Sequence, residues 1–542
     1  MEGTMQEAPL TLQHVLWRAA TLFGRKEVVT RQAAGLTRTS YGDIAGRVGR
    51  LASALSRLGV GPGDRVGTLC WNNQRHLEIY YAVPCMGAVL HTLNLRLFPD
   101  QLEFIIRDAR DRVLFVDQSL LPVLNRLAGR LETVERIVCL GDGTEPPEHA
   151  LGSTLDYEEL LAKEAPGFDW PPLDEGSAAG LCYTSGTTGN PKGVAYSHRS
   201  QYLHTMGALQ AGSLGVTEGD VILPVVPMFH ANSWGLPYAA GMAGATLLMM
   251  DRWMGDPQAI LEMATAEHAT LLAGVPTIWI GVVEAMERTG VRLPEVTRVL
   301  CGGSAVPRGL MESADRVGLP LVHAWGMTET SPIATVGVPR SWQREGAAFE
   351  ARLSQGAIVP GVEIRIADSA TGEVLPWDGT AFGEVQVRGP WVAQGYVNGA
   401  DPGRTTADGW FKTGDVATLD TDGFLRIVDR TKDLIKSGGE WISSVELENA
   451  IMAHPKVQEA AVVGVQHPKW QERPVGYVVP RAEFKGSTTQ EEILDFLRDK
   501  VAGWWLPDEI RFIDEIPKTS VGKFDKKVLR TAAAPLEAGA SS

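Results

Sequence analysis

Leu181-Cys-Tyr-Thr-Ser-Gly-Thr-Thr-Gly-Asn-Pro-Lys-Gly193 reads as a short apolar strand that ends in a loop suited to an anion. Gly186, Gly189 and Gly193 let backbone N–H groups come close to phosphate oxygens. The hydroxyls of Thr184, Ser185, Thr187 and Thr188 add donors, and Lys192 adds positive charge. The spacing does not match GxxxxGK[ST], so this is a phosphate grip on a different fold from the P-loop NTPases. A flexible surface loop is the bland alternative, and the ending Pro191-Lys192-Gly193 speaks against it.

Outward from the loop, helical and strand patterns alternate from about residue 10 to 430. The run from Asp43 to Gly59 has apolar residues at helical spacing and ends on glycine. It leads into a strand from Asp64. Leu102–Val113 is expected as a helix running into a strand at Leu114–Asp117. Ala259–Ala269 leads into Leu271–Val275, and Val296–Gly303 is a strand with a turn. This alternation predicts an α/β fold of doubly covered parallel sheets. Gly235–Met250 reads as a buried helix, a glycine turn and a strand. It falls short of the ~20 apolar residues of a membrane span. After about residue 360 the strands Val362–Asp368, Gly383–Gly389 and Phe424–Asp429 suggest a small antiparallel barrel or sheet. Beyond Asp429-Arg-Thr-Lys-Asp433 comes a small α+β unit, with helices expected at Val445–His454 and Gln490–Gly503. The expected domains are 1–428, a hinge at 429–433, a mobile lid at 434–530, and a loose tail at 531–542.

Composition limits the function. The chain has 542 residues, more than the roughly 250–300 at which single cores stop growing. A formal net charge of -15 argues against nucleic acid as the main partner. Five scattered cysteines without a CxxC pair suit buried thiols in a reducing, cytoplasmic setting. The polar N-terminus lacks the pattern of a signal peptide. Contact with a membrane surface is left open.

The stretch Tyr-Thr-Ser-Gly-Thr-Thr-Gly-x-Pro-Lys-Gly resembles the signature of the adenylate-forming superfamily, which includes acyl-CoA synthetases, luciferases and peptide-synthetase adenylation domains. Further motifs follow in the superfamily's order over nearly the whole chain. In Ala324-Trp-Gly-Met-Thr-Glu-Thr-Ser-Pro332, a carboxylate beside hydroxyls suits Mg²⁺. The resemblance implies that Glu329 and Thr184 hold Mg²⁺ on ATP, and that Ala324, Trp325, Gly326, Met327 and Thr328 line the nucleotide, with Thr328 facing the α-phosphate. It places Gly302, Gly303, Ser304 and Ala305 against the adenine and acyl pocket. It gives Asp415 the ribose hydroxyls, with Arg430 assisting. Lys436, Gly438, Gly439, Glu440 and Trp441 form a second glycine loop past the hinge. Lys523 is the implied catalytic cation, which a swing of the lid would exchange for that loop before coenzyme A attacks. On residue type alone, Glu329 is also readable as a satisfied turn carboxylate, Asp415 as a solvated turn residue, and Lys523 as one of several tail lysines.

Pro224-Val-Val-Pro-Met-Phe-His-Ala-Asn-Ser-Trp-Gly-Leu-Pro237 bears on the acid. Amino-acid-activating relatives carry an Asp just after the Phe, to pair with an ammonium. Here His230 follows Phe229, and an unpaired buried ammonium is costly. Trp234, Leu236, Tyr238 and Met242 suggest an apolar channel, with ordinary core packing the alternative. The stretch resembles bacterial medium- and long-chain fatty-acid–CoA ligases. That implies Trp234 as a gate, His230 at the thioester-forming centre, and a homodimer. An aryl or short-chain acid ligase and a non-catalytic binding homologue are the rival expectations.

Overall fold

Leu181, Cys182 and Tyr183 lie in a strand, Ala178–Tyr183, that is buried over most of its length, as its apolar run requires. The computed structural model describes residues 1, 3–184, 190–437, 440–518 and 524–533, with Glu440 described in its backbone alone. Ser185, Gly186, Thr187, Thr188, Gly189, Gly438, Gly439 and Lys523 therefore lie outside the described residues. The chain forms two compact units, Met1–Glu363 with Arg388–Phe411, and Ile364–Val387 with Lys412–Ser542.

The first unit contains two sheets. One runs in the order Leu155–Asp156, Arg136–Leu140, Asp111–Asp117, Arg65–Leu69, Val89–Thr92, Ala178–Tyr183 and Gly193–Ser197. All neighbours are parallel except the last pair, which is antiparallel and flanks residues 184–192. The other has a parallel centre of Leu321–Gly326, Arg298–Cys301, Leu271–Gly274, Val221–Pro224, Thr246–Met249 and Glu27–Gln32. Antiparallel strands extend it at both ends, Ile333–Val336 with Gly356–Ile358 on one side and Gly35–Ser40 on the other. Some helices, such as Leu236–Ala243, are buried all round, and others bury one stripe. Tyr41–Arg57 turns Ile44, Val48, Leu51 and Leu55 inward, and its first turn is capped by Ser40, whose hydroxyl accepts Asp43 N–H.

The expected α/β alternation is present, with shifted boundaries. The helix from Pro99 stops at Ala109, not Val113, because Arg110 turns left-handed at φ 57°. Asp111 then joins the sheet, buried and 2.8 Å from His91 Nδ1. Gly235–Met250 divides as read, into the helix Leu236–Ala243, a left-handed Gly244 and the strand Thr246–Met249.

The second unit contains the β-rich stretch, a sheet in the order Glu363–Ala367, Phe382–Arg388, Phe411–Leu419 and Phe424–Arg430. A second sheet runs Glu440–Ile442, Ile435–Ser437, Gln471–Pro480, Val457–His467, with Glu509–Phe512 parallel to Gln471–Pro480. The helices Ser444–Met452 and Gln490–Leu497 cover one face through Leu447, Ile451, Ile493 and Leu497. The helix expected to reach Gly503 ends at Leu497, since the polar run Arg498-Asp499-Lys500 offers nothing to bury. All five cysteines are free and buried. Among the described residues, no helix is long and apolar enough to cross a membrane.

Candidate active site

Thr184 directly follows its strand, and its N–H donates to the Lys192 carbonyl at 2.9 Å. Lys192 N–H points back at Thr184 Oγ1, 3.3 Å away. The Lys192 ammonium does not hang free. It is 2.5 Å from Asp401 Oδ2 and 5.3 Å from the centre of the Tyr396 ring. Arg404 donates to the same Asp401 oxygen at 2.8 Å. The donation from Lys192, with that from Arg404, holds the Asp401 carboxyl below the usual carboxylate range.

Glu329 comes to this cluster from the other sheet. It is 4% exposed, and Tyr396 Oη donates to its Oε1 at 2.5 Å. Burial and the neighbouring carboxylate push the Tyr396 phenol far up, so it stays a donor. The Glu329 backbone carbonyl accepts Ala393 N–H at 2.7 Å, and Tyr196 Oη donates to Thr328 O at 2.7 Å. Segment 393–404 thus ties Lys192 to the Glu329 turn. Tyr396 and Asp401 carry no local sequence signal, since they sit in a polar loop some two hundred residues from Lys192.

The pair at Asp401 is about a quarter to a third exposed, so its own stabilisation is small, about 0.2–1 kcal/mol. A charged contact to a phosphate is worth more, roughly 1.5–3 kcal/mol. Lys192→Met is therefore expected to raise the KM for ATP by about tenfold or more, while Asp401→Asn changes it by less than about threefold. Pyrophosphate release at varied ATP measures both.

The Cys301-Gly-Gly turn lies beside Trp234. A Cβ on Gly302 would be 2.7 Å from the Ala324 carbonyl oxygen and 3.3 Å from Trp234 Cη2. The Ala324 carbonyl leaves no space for a side chain at Gly302, and the edge of the Trp234 ring is the next group it would meet. Gly303 has φ 85°, and Val275 Cγ1 flanks it. Ser304 and Ala305 are exposed, while Trp325 and Thr328 are buried. A side chain on Gly326 would run into the Pro332 carbonyl, and Met327 N–H donates to Thr330 Oγ1 at 3.0 Å.

His230 is half-buried and begins an unusual turn. Ala231, Asn232, Ser233 and Trp234 all have positive φ. Each such non-glycine residue costs about 1–2 kcal/mol, a strain that clusters at functional sites. Leu236, Tyr238 and Met242, expected along an acyl channel, lie in the core. They are at most 2% exposed, and Tyr238 Oη donates to the Tyr80 carbonyl at 3.0 Å.

In the second unit, Asp415 is 2% exposed and lies opposite Arg430, whose Nε is 2.6 Å from Asp415 Oδ1. Lys436 faces Trp441 across the hairpin, its ammonium 5.3 Å from the indole. A bridge joins Lys518 and Phe524, on either side of residues 519–523, and Asp525 caps the helix Lys526–Ala532 that follows. Lys526 is buried, 2.7 Å from Glu448 Oε1 and donating to Ser444 Oγ at 2.7 Å. Ser444 in turn donates to Asp429 through both its N–H and its hydroxyl, and Arg530 pairs with Asp433.

The family model described as "AMP-binding enzyme" matches residues 16–397, and that of the "AMP-binding enzyme C-terminal domain" matches 446–523. The chain belongs to the AMP-binding enzyme family. It is 47% identical to a long-chain-fatty-acid–CoA ligase of Thermus thermophilus, over 97% of this chain and 96% of that one. A 3-methylmercaptopropionyl-CoA ligase of Ruegeria lacuscaerulensis is 44% identical, over 98% of each. A medium-chain-fatty-acid–CoA ligase of Ectopseudomonas oleovorans is 42% identical, over 98% and 97%. Among solved structures, ATP-bound MatB from Rhodopseudomonas palustris superposes with a TM-score of 0.82 at 26% identity, covering 97% of this chain and 99% of that one. The α/β fold and the division into a large N-terminal and a small C-terminal part are those of adenylate-forming enzymes.

Proposed function

We propose that the protein is an AMP-forming acid–CoA ligase that activates a medium- or long-chain fatty acid. The carboxylate attacks the α-phosphate of ATP, giving acyl-AMP and pyrophosphate; the thiol of coenzyme A then takes the acyl group and releases AMP. The observation that carries the acid assignment is His230 in place of a carboxylate after Phe229, with the edge of the Trp234 ring beside Gly302. An uncharged acyl chain suits that setting, and an ammonium group without a partner does not.

Thr184, Ser185–Gly189 and Lys192 hold the β- and γ-phosphates. Asp415 accepts the ribose hydroxyls, oriented by Arg430. Thr184 and Glu329 would hold Mg²⁺, which takes few protein oxygens and completes its shell with phosphates and water. One buried carboxylate and one hydroxyl fit that habit. Held by these two residues, the ion would supply positive charge against the leaving pyrophosphate. Gly302–Ala305 and Ala324–Thr328 flank the adenine and the acyl-phosphate. The loop Lys436–Trp441 guides the thiol once the lid, turning about 429–433, has withdrawn Lys523. The unpaired thiols suit a reducing compartment, and a cytoplasmic place belongs to the same proposal.

A short-chain acid is the second reading. The 44% identity to a 3-methylmercaptopropionyl-CoA ligase favours it. Pyrophosphate release across straight-chain acids of graded length, with 3-methylmercaptopropionate beside them, decides between the two. The fatty-acid reading expects kcat/KM to rise by about tenfold or more from four to ten carbons, since each buried methylene adds roughly 0.8 kcal/mol. A maximum at the short acids would overturn it.

A further inference from the structure

The five residues from Ala231 to Gly235 have φ of 42, 54, 50, 57 and 74°. L-residues avoid this region, and four non-glycine residues in a row persist only where the surroundings impose it. The turn is held from several sides. Ser233 Oγ donates to the Val226 carbonyl at 2.7 Å. Asn72 Nδ2 donates to the same carbonyl at 2.8 Å, and Asn72 Oδ1 accepts Met228 N–H at 2.7 Å. These contacts fix the chain leading into His230.

Asn232 reaches furthest. It is 3% exposed, and its Oδ1 accepts the Cys182 thiol at 3.2 Å. Burial raises that thiol to about 11, so it carries its proton at neutral pH. The Tyr80 hydroxyl, which donates to Met228 O, is 3.4 Å from the same Asn232 oxygen. Cys182 sits two residues before Thr184, on the strand that ends in the phosphate loop. One amide thus joins the turn that carries His230 and Trp234 to that strand. Asparagine also tolerates left-handed backbone better than most residues.

We propose that Asn232 is a positioning residue for the acid: by clamping the left-handed turn to Cys182 and Tyr80, it keeps the edge of the Trp234 ring beside Gly302 and sets the register between the acyl chain and the proposed phosphate grip. This rests on the acid–CoA ligase reading above.

Asn232→Gly keeps the backbone freedom and removes the clamp. Cys182→Ala removes one donor, and Cys182→Ser supplies another. Steady-state kinetics in the full-length enzyme should show the fatty-acid KM rising about tenfold for Asn232→Gly while the ATP KM stays within about twofold. Cys182→Ala should shift the same constant by a smaller factor, Cys182→Ser should restore it, and Asn232→Gly with Cys182→Ala should be no worse than Asn232→Gly alone. A thermal melt of each variant reports the folded fraction. The proposal fails if both KM values rise together, if only the melting temperature falls while the KM values stay at wild type, or if Cys182→Ser is as impaired as Cys182→Ala. Absence of pyrophosphate release by the wild-type enzyme with every fatty acid would instead defeat the chain-class reading. The series would then be run with the acid that does support release.

Discussion

Lys523→Ala is expected to abolish acyl-AMP formation and to leave conversion of supplied acyl-AMP to acyl-CoA within about threefold of wild type. The two half-reactions ask different things of the protein. In the first, a carboxylate must approach a phosphate, and two anions repel unless a cation lies between them. Removing one preorganised group of this kind costs on the order of 10²–10³-fold in rate, and more where it also orients the nucleophile. In the second, a thiol attacks an acyl carbon already joined to AMP, and no such meeting of anions occurs. Single-turnover pyrophosphate release measures the first step, and acyl-CoA formation from synthetic acyl-AMP measures the second. Equal loss in both would refute the assignment of Lys523.

Glu329→Gln should lower kcat for pyrophosphate release by on the order of 10²–10³-fold without unfolding the protein. Glutamine has the same shape and keeps an oxygen that can accept the Tyr396 hydroxyl, so the packing of this 4%-exposed side chain survives. What disappears is the negative charge. The variant should need more Mg²⁺ for half-maximal rate, and that shift distinguishes a metal ligand from a structural turn residue. A melting temperature several degrees lower with an unchanged Mg²⁺ requirement would assign Glu329 to the fold instead.

Much of this was legible in the sequence because the deciding signals are local. Asp43–Gly59 announces its helix through the spacing of Ile44, Val48, Leu51 and Leu55, and Gly244 marks its own turn. The residues after Tyr183 are expected to grip phosphates from glycines and hydroxyls at close spacing, and Ser185–Gly189 lie outside the described residues. Other features depend on contacts across the chain. The end of the helix at Ala109 is set by Asp111, drawn into the sheet beside His91. The hairpin of Glu27–Gln32 and Gly35–Ser40 is an edge extension that no strong alternation marks. Asp401 and Tyr396 matter because of where Lys192 and Glu329 arrive, and no spacing rule connects them. The left-handed turn is the clearest case. Ala-Asn-Ser-Trp contains no glycine, so local propensity argues against the conformation that Tyr80, Asn72 and Cys182 impose.

The contacts of Lys526 and Arg530 bear on how motion could reach the chemistry. One end of the pentapeptide, Asp429, is tied through Ser444 to Lys526; the other end, Asp433, is tied to Arg530. Both basic residues belong to the helix Lys526–Ala532, which begins three residues after Lys523. That helix is thus bolted at two points to the very residues proposed to turn, so a change in their backbone torsions would carry the helix with it.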